Sequence, residues 1–360
     1  MIRILQCVVG MDRGGLETFT MGLLRNIDRK QVMLDFLVSN DGAYDDEIRE
    51  LGGRIYKIPF ITRTGPIGYA ADLNNFFQAH PEYRIIHIQM DKFGGFLART
   101  AHRRGVPVRI VHSHNTKNEG NLVYRVVKNH YGRLVTRHAT HLAACGQAAA
   151  EWMFEEAAPS ALIAHNGVDL CRFYPDDQRA GPYTLGHIGR FTENKNHTFL
   201  IDVFSEIIKA EPGARLLLAG DGKLRAEIET KTERCSLSHA VDFLGVRSDV
   251  QNVLARCDAL CMPSLFEGLP VTLVEAQACG VPSLVSDTIS DECNLTGDVE
   301  FLPLGAPPAL WASRLLEYGG RARKNNTAAL EAAGYSIRQT AAMMQRYYLD
   351  LNEGILRDKV

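Results

Sequence analysis

The sequence has few of the features that mark secreted, membrane-spanning or nucleic-acid-binding proteins. Its eight cysteines are scattered and form no Cys-x-x-Cys pair, so we expect reduced, buried residues of a cytoplasmic protein. No segment approaches the roughly 18 consecutive apolar residues of a membrane span. The N-terminus lacks the pattern of a signal peptide. The net charge of −2 gives no bulk attraction to nucleic acid, so we expect no nucleic-acid partner.

Two common ligand motifs are also missing. No Asp-x-Asp occurs, and no His, Cys and carboxylate residues cluster at ligand spacing, so we expect no metal site. The loop Gly10-Met-Asp-Arg-Gly14-Gly15 lacks the spacing Gly-x-Gly-x-x-Gly, which excludes the nicotinamide or flavin fingerprint. Gly14 and Gly15 still let the backbone approach a phosphate closely, although a simple tight turn is an equally good interpretation.

Strand-like and helix-like segments alternate through most of the chain, which is typical of a parallel sheet covered on both faces. The 360 residues are too many for one compact core, and a polar stretch at 169–182 interrupts the alternation before it resumes. We predict an α/β protein with two facing Rossmann-like, doubly wound domains and a ligand cleft between the carboxyl ends of their strands. The domains are 1–170, completed by a C-terminal helix in 337–360, and 182–335.

The segment from Ser264 to Pro282 predicts an anion site. An apolar run precedes it, Pro270 is suited to a first helical turn, and Gly280 is suited to ending the helix. Free amides and the helix dipole at such a start favour a phosphate. The carboxylates of Glu267 and Glu275 then lie on either side of that phosphate, which fits a nucleotide sugar.

Seven residues separate Glu267 from Glu275, and the surrounding segment resembles the Glu-x7-Glu signature of the retaining family-4 glycosyltransferases. Other segments resemble this family's motifs in order, and together they cover nearly the whole chain. They are the Gly14–Gly15 loop, His112-Ser-His114-Asn, Asn166-Gly-Val-Asp169, Gly189-Arg190 to Asn196, Gly220-Asp-Gly222 and Phe243 to Asp249.

The resemblance implies the GT-B fold, a nucleotide-diphosphate sugar donor and retention of anomeric configuration. Arg190 and Lys195 would stabilise charge on the leaving diphosphate, although loop cations are often merely solvated. Glu267 would hold sugar hydroxyls, and Glu275 would hold the ribose. The backbone of the segment formed by Gly268, Leu269, Pro270 and Val271 would contact phosphate or sugar oxygens. His114, or else His112, would contact the sugar near the reaction centre. Gly14 and Gly15 would contact the donor, and Val246 the nucleobase.

The resemblance further implies a hexosyltransferase of capsule, exopolysaccharide or lipopolysaccharide assembly that needs no metal and no cofactor. The expected donor is a UDP- or GDP-sugar, and the expected acceptor is a lipid-linked or oligosaccharide hydroxyl. Two alternatives stay open. One is a nucleotide-sugar epimerase of the same fold, and the other is an inactive sugar-nucleotide-binding partner of an assembly complex.

Residues 99–138 are strongly basic. They contain nine Lys and Arg residues and one acid, Glu119, in a chain whose net charge is −2. Apolar residues recur at helical spacing from about Leu122 to His138, so a core-facing helix with a solvated basic face explains the pattern. The alternative is a surface that contacts anionic lipid headgroups, which would place a cytoplasmic protein at the inner face of the cell membrane.

Overall fold

The computed structural model describes residues 1–117 and 122–357. The chain divides into two compact units. The first contains Met1–Gly167 and the C-terminal segment that starts at Ile337, and the second contains Val168–Ser336. Each unit has its own parallel sheet and its own apolar core.

The strands are short and mostly buried, as expected for sheets covered on both faces. In chain order they are β1 Ile2–Cys7, β2 Val32–Val38, β3 Ile55–Lys57, β4 Ile85–Ile88, β5 Val108–Ser113, β6 His141–Ala144, β7 Leu162–Ile163, β8 Thr184–Ile188, β9 Arg215–Ala219, β10 Val241–Gly245, β11 Ala259–Met262, β12 Ser283–Ser286 and β13 Val299–Leu302.

Helices follow almost every strand. They are α1 Gly15–Asn26, α2 Asp45–Glu50, α3 Ile61–Ala79, α4 Gly94–Arg103, α5 Leu122–Gly132, α6 Val135–His138, α7 Gln147–Phe154, α8 His197–Ala210, α9 Arg225–Arg234, α10 Val250–Ala255, α11 Val271–Ala278, α12 Pro308–Leu316, α13 Thr327–Ala332 and α14 Ile337–Arg357. No helix in these described stretches is long and apolar enough to cross a membrane.

The first sheet has the order β3-β2-β1-β4-β5-β6-β7, and all its strands are parallel. The order reverses between β1 and β4, where Leu5 pairs with Ile86. In open parallel sheets a ligand crevice forms at the carboxyl edge beside such a reversal. The Gly14 loop follows β1, and His114 follows β5, so the topology brings both to this edge.

The second sheet has the order β10-β9-β8-β11-β12-β13, also parallel throughout. Its order reverses between β8 and β11, where Ala259 pairs with Leu185. The loop after β8 carries Arg190 and Lys195, and the loop after β11 carries Glu267. The topology therefore places the two loops that carry these predicted residues at the reversal of the second sheet.

The C-terminal helix α14 packs into the core of the first unit. Gly22 of α1 allows this close approach, because a Cβ at Gly22 would lie 2.7 Å from Cγ1 of Ile337. Tyr348 is fully buried against the sheet. This helix therefore completes the core of the unit that contains β1.

The structure differs from the sequence predictions in three places. The single helix expected over 122–138 is interrupted between Gly132 and Val135, close to where Gly95 of α4 packs against the backbone of Tyr131. Pro270 precedes α11 as its capping residue instead of lying in the first turn. The polar stretch expected to link the domains belongs to the second unit, because Phe173 is buried in that unit's core.

Candidate functional site

An ion pair spans the reversal of the second sheet. Lys195 Nζ lies 2.7 Å from Glu267 Oε1, and each side chain is less than one-sixth exposed. Two bonds join their loops: the Leu265 N–H donates to Asn194 O over 2.7 Å, and Asn196 Nδ2 donates to Pro263 O over 3.1 Å. The loops after β8 and β11 therefore hold the lysine and the glutamate together.

Two glycines after β9 position the Arg190 loop. Gly220 has a φ of 140°, and a Cβ there would lie 1.9 Å from Gly189 O. Gly222 has a φ of 158°, and its Cβ would lie 2.6 Å from Phe191 O. Only glycine tolerates both the backbone conformation and the close approach. The Gly220-Asp-Gly222 motif is therefore a support for the Gly189–Phe191 backbone.

The start of α11 lies next to the ion pair in sequence. Pro270 has no N–H, and the backbone amides of Gly268, Leu269 and Val271 donate no hydrogen bond within residues 1–117 and 122–357. Unsatisfied amides at a helix start are ready donors to an anion. Gly280 ends the helix with a φ of 65°, as the sequence predicts.

Glu275 is a buried carboxyl group on the second turn of α11. It is 8% exposed, and it forms no hydrogen bond or ion pair in the described part of the chain. Burial raises the pKa of Glu275 to about 7, and the positive charge of Arg172 opposes that rise. A buried carboxyl without a partner is costly unless a ligand supplies donors.

Arg190 and Val246 are exposed at the same sheet edge. Arg190 follows β8 and forms no ion pair with another described residue. Val246 follows β10 and is 56% exposed. Both side chains are therefore accessible to a ligand on the carboxyl edge of this sheet, although neither contacts the Lys195–Glu267 pair.

Two buried histidines beneath Lys195 escape sequence analysis. His187 Nδ1 lies 2.9 Å from Cys261 O, and the ring of His197 packs edge-on to His187 and stacks on Phe191. Burial lowers the pKa of His187 to about 4 and that of His197 to about 2. Both rings are neutral packing residues at pH 7. Isolated histidines carry no pattern that would reveal this role.

In the first unit, Gly14 caps α1, and Gly15 is its first residue. Gly14 has an extended backbone, and its carbonyl accepts from Thr18 N–H over 2.9 Å. A Cβ at Gly14 would lie 2.3 Å from Glu17 Oε2, so a side chain at Gly14 would displace that carboxylate. The pair thus forms a helix start at the edge where β1 ends.

The two candidate histidines differ in their surroundings. His112 lies within β5, is almost fully buried, and its Nδ1 lies 3.0 Å from Nε2 of His87. His114 follows the strand, is half-buried, and lies 2.9 Å from Gln89 Oε1 through Nε2. Burial lowers the pKa of His114 to about 4, opposed by the Asn166 side chain, and lowers the pKa of His112 further. His114 is the more accessible of the two.

Residues 1–117 and 122–357 contain no group of three or more His, Cys, Asp or Glu side chains that could hold a metal ion. Lys195, Arg190 and the backbone amides at the start of α11 are candidate anion-binding groups of this edge.

The basic segment divides into buried and exposed cations. Lys128 is buried and lies 2.5 Å from Asp91 Oδ2, whereas Arg125, Arg133 and Arg137 are exposed. Glu119 lies outside the described residues, as do the side chains of Leu122 and Val123. A mostly apolar cavity of about 350 Å³ adjoins α5. It is lined by Ile61, Thr62, Pro66, Phe93, Tyr124, Val127 and Tyr131.

Comparison with known families matches both units. Residues 176–298 match the family described as glycosyl transferases group 1, and residues 14–167 match the glycosyl transferase 4-like domain. The chain is 36% identical to a Bacillus subtilis (strain 168) protein named "Putative glycosyltransferase EpsF", over 96% of both chains. It is 24% identical to the Escherichia coli UDP-Gal:alpha-D-GlcNAc-diphosphoundecaprenol alpha-1,3-galactosyltransferase, over 81% of this chain and 80% of that one.

Solved structures show the same fold. HepE of Anabaena, in complex with UDP and glucose, superimposes with a TM-score of 0.80 at 19% identity, over 97% of this chain and 100% of that one. A sucrose-phosphate synthase from Thermosynechococcus elongatus gives a TM-score of 0.78 at 16% identity, over 98% of this chain and 100% of that one. These likenesses and the two parallel sheets confirm the predicted GT-B fold class.

Proposed function

We propose a catalytic activity for this chain, which belongs to the glycosyltransferase group 1 family. Its reaction is the transfer of a sugar from a nucleotide-diphosphate donor to an acceptor hydroxyl, with retention of anomeric configuration, in the synthesis of a surface polysaccharide. The observation that carries this proposal is the Lys195–Glu267 ion pair at the reversal of the second sheet. It combines a cation for a diphosphate with a carboxylate for sugar hydroxyls.

The donor diphosphate lies at the start of α11. Lys195 and Arg190 stabilise the charge that develops on the leaving diphosphate, and the amides of Gly268, Leu269 and Val271 donate to its oxygens. These preorganised donors supply the electrostatic stabilisation that a metal ion supplies in other transferases. The reaction in this proposal is therefore independent of divalent metal.

The rest of the donor is held by groups on the same edge. Glu275 accepts from the ribose hydroxyls, which explains why an otherwise unpartnered carboxyl is buried there. Val246 packs on the nucleobase, and Glu267 accepts from the sugar. From the first unit, His114 contacts the sugar, and Gly14 and Gly15 approach the donor with their backbone. His112 acts behind His114, since it is buried.

The donor is a UDP- or GDP-sugar, and UDP is supported by two comparisons. The Escherichia coli relative is named for UDP-Gal and a diphosphoundecaprenol acceptor, and UDP is bound to HepE of Anabaena. A lipid-linked acceptor also fits the apolar cavity beside α5, whose walls include Phe93, Tyr124 and Tyr131. The exposed arginines of the same helix region would face anionic headgroups at the inner side of the cell membrane.

The test begins with a thermal-shift screen of UDP- and GDP-sugars in the presence of EDTA. A donor at 100 times its Kd should stabilise the folded chain by about 2.7 kcal/mol, because it binds only the folded state. The matched donor is then incubated with and without lipid extract as the acceptor source. A retaining transferase should release the nucleoside diphosphate and glycosylate the acceptor only when acceptor is present, and NMR should show an α product from an α donor. If the nucleotide sugar is isomerised in the absence of acceptor, the protein is an epimerase instead. If the donor binds but no product forms, the protein is an inactive sugar-nucleotide-binding partner.

A further inference from the structure

A buried network of hydrogen bonds connects the C-terminal helix to His114, the candidate reaction histidine of the first unit. Gln6 of β1 lies at its centre: Oε1 of Gln6 accepts from Gln89 Nε2 over 2.7 Å, and Nε2 of Gln6 donates to Tyr348 Oη over 3.2 Å. Gln6, Gln89 and Tyr348 are each at most 2% exposed. Such buried groups must satisfy one another, because water cannot reach them.

One arm of the hydrogen-bond network ends at His114. The amide nitrogen of Gln89 is occupied by Gln6, so its oxygen faces His114, 2.9 Å from Nε2. A carboxamide oxygen only accepts, and a neutral imidazole carries a single proton. His114 must therefore carry its proton on Nε2 and present Nδ1 as an acceptor.

The other arm ends at His112. Tyr348 Oη accepts from Gln6, so its own proton points to His87 Nδ1 at 2.6 Å. His87 then carries its proton on Nε2, which donates to His112 Nδ1 over 3.0 Å. The rings of His112 and His114 stack with centroids 4.1 Å apart. The two arms thus meet as a neutral pair of rings at the end of β5.

We propose that Gln89 is a positioning residue that fixes His114 as the Nε2–H tautomer and so orients this ring for its contact with the donor sugar. The contact with the sugar rests on the proposed function, whereas the tautomer itself does not. The direction of the hydrogen bonds follows from the amide orientations of Gln6 and Gln89, because reversing both amides would reverse the bonds along both arms. Tyr348 joins the C-terminal helix α14 to this network.

The test is NMR of imidazole nitrogens in the full chain labelled with ¹⁵N-histidine, which needs no ligand. The sequence has twelve histidines, so the His114 signal is identified by its loss in His114→Asn. The wild type should show His114 as a single Nε2–H tautomer at pH 7. Gln89→Met, which is of similar size but has no acceptor oxygen, should give a mixture of tautomers.

Gln89→Glu provides a second variant with the opposite expectation. A carboxylate at this distance should favour the charged ring and raise the His114 pKa by roughly 1–3. Among the described residues, the titratable groups that interact with the His114 ring are His112 and His87, both kept neutral by burial, and their signals serve as internal references. A mixed or Nδ1–H His114 in the wild type, or a spectrum unchanged by Gln89→Met, would overturn the proposal. Absence of sugar transfer with a correct tautomer would instead count against the proposed function alone.

Discussion

The buried carboxyl group of Glu275 should make the stability of the second unit depend on pH. It is 8% exposed and has no partner within the described residues, and burial raises its pKa from 4.5 to about 7. Ionising Glu275 in the second unit therefore carries a cost, which the charge of Arg172 offsets only in part. In this account the nucleotide ribose is what compensates it.

The sign and size follow from linkage. The raised pKa means that the folded chain binds the Glu275 proton more tightly than the unfolded chain does. The stability that this proton contributes is therefore fully present below pH 4.5 and is lost as the pH rises through about 7. A pKa difference of about 2.5 corresponds to about 3 kcal/mol at 1.36 kcal/mol per pKa unit. Glu275→Gln keeps the shape and removes the charge. We expect its stability advantage over the wild type to grow by about 2–3 kcal/mol between pH 5 and pH 8.5.

The assay is urea unfolding of the second unit followed by tryptophan fluorescence. The sequence has two tryptophans, Trp152 in the first unit and the fully buried Trp311 in the second. A Trp152→Phe background thus leaves Trp311 as the reporter of the second unit alone. If the stability difference between wild type and Glu275→Gln stays constant from pH 5 to pH 8.5, then Glu275 does not ionise at a cost in the folded chain, and the prediction is wrong.

Three further predictions concern the support of the site, the membrane and the metal. Gly220→Ala should destabilise the second unit by roughly 3 kcal/mol, because the new Cβ would lie 1.9 Å from Gly189 O. The control Gly305→Ala should be nearly neutral in the same Trp311 assay, because a Cβ at Gly305 would have no neighbouring atom within 4 Å. Reversing the exposed charges of the basic segment should weaken sedimentation with anionic liposomes at least tenfold, at about 1 kcal/mol per charge; unchanged sedimentation would contradict this. The residues reversed are Arg125, Arg133 and Arg137, and the control set on α14 is Arg338, Arg346 and Arg357. Turnover should persist in excess EDTA, and its loss with recovery on Mg²⁺ would contradict the metal-independent proposal.

The fold was predictable because its signals are local and repeated. Short apolar runs separated by helical segments indicate a parallel α/β architecture without any knowledge of contacts. Gly280 ends its helix as the sequence predicts, with a φ of 65°. The break near Gly132 was not predictable, because it depends on the contact between Gly95 and Tyr131 across two helices. The position of Pro270 was missed by a single residue, the usual uncertainty of helix ends.

For the candidate site, sequence resemblance predicts individual residues but not the contacts between them. Lys195 and Glu267 were assigned separate roles, and only the structure shows their 2.7 Å ion pair. The burial of His112 and the bond between Gln89 and His114 were likewise hidden, because they depend on which side of the sheet a strand residue faces. Gln6 and Tyr348 are 342 residues apart, and no local pattern links them.

In the proposed function, Lys195 binds the diphosphate of the donor. The most direct measurement is calorimetric titration of UDP and GDP, in EDTA, into the wild type, Lys195→Met and the control Lys209→Met. Lys209 is an exposed residue of the same unit, and it pairs with Glu206. A charge-assisted contact of about 2 kcal/mol predicts that Lys195→Met binds the preferred nucleotide about 30-fold more weakly, while Lys209→Met binds like the wild type. Equal affinity of Lys195→Met and wild type would contradict the account.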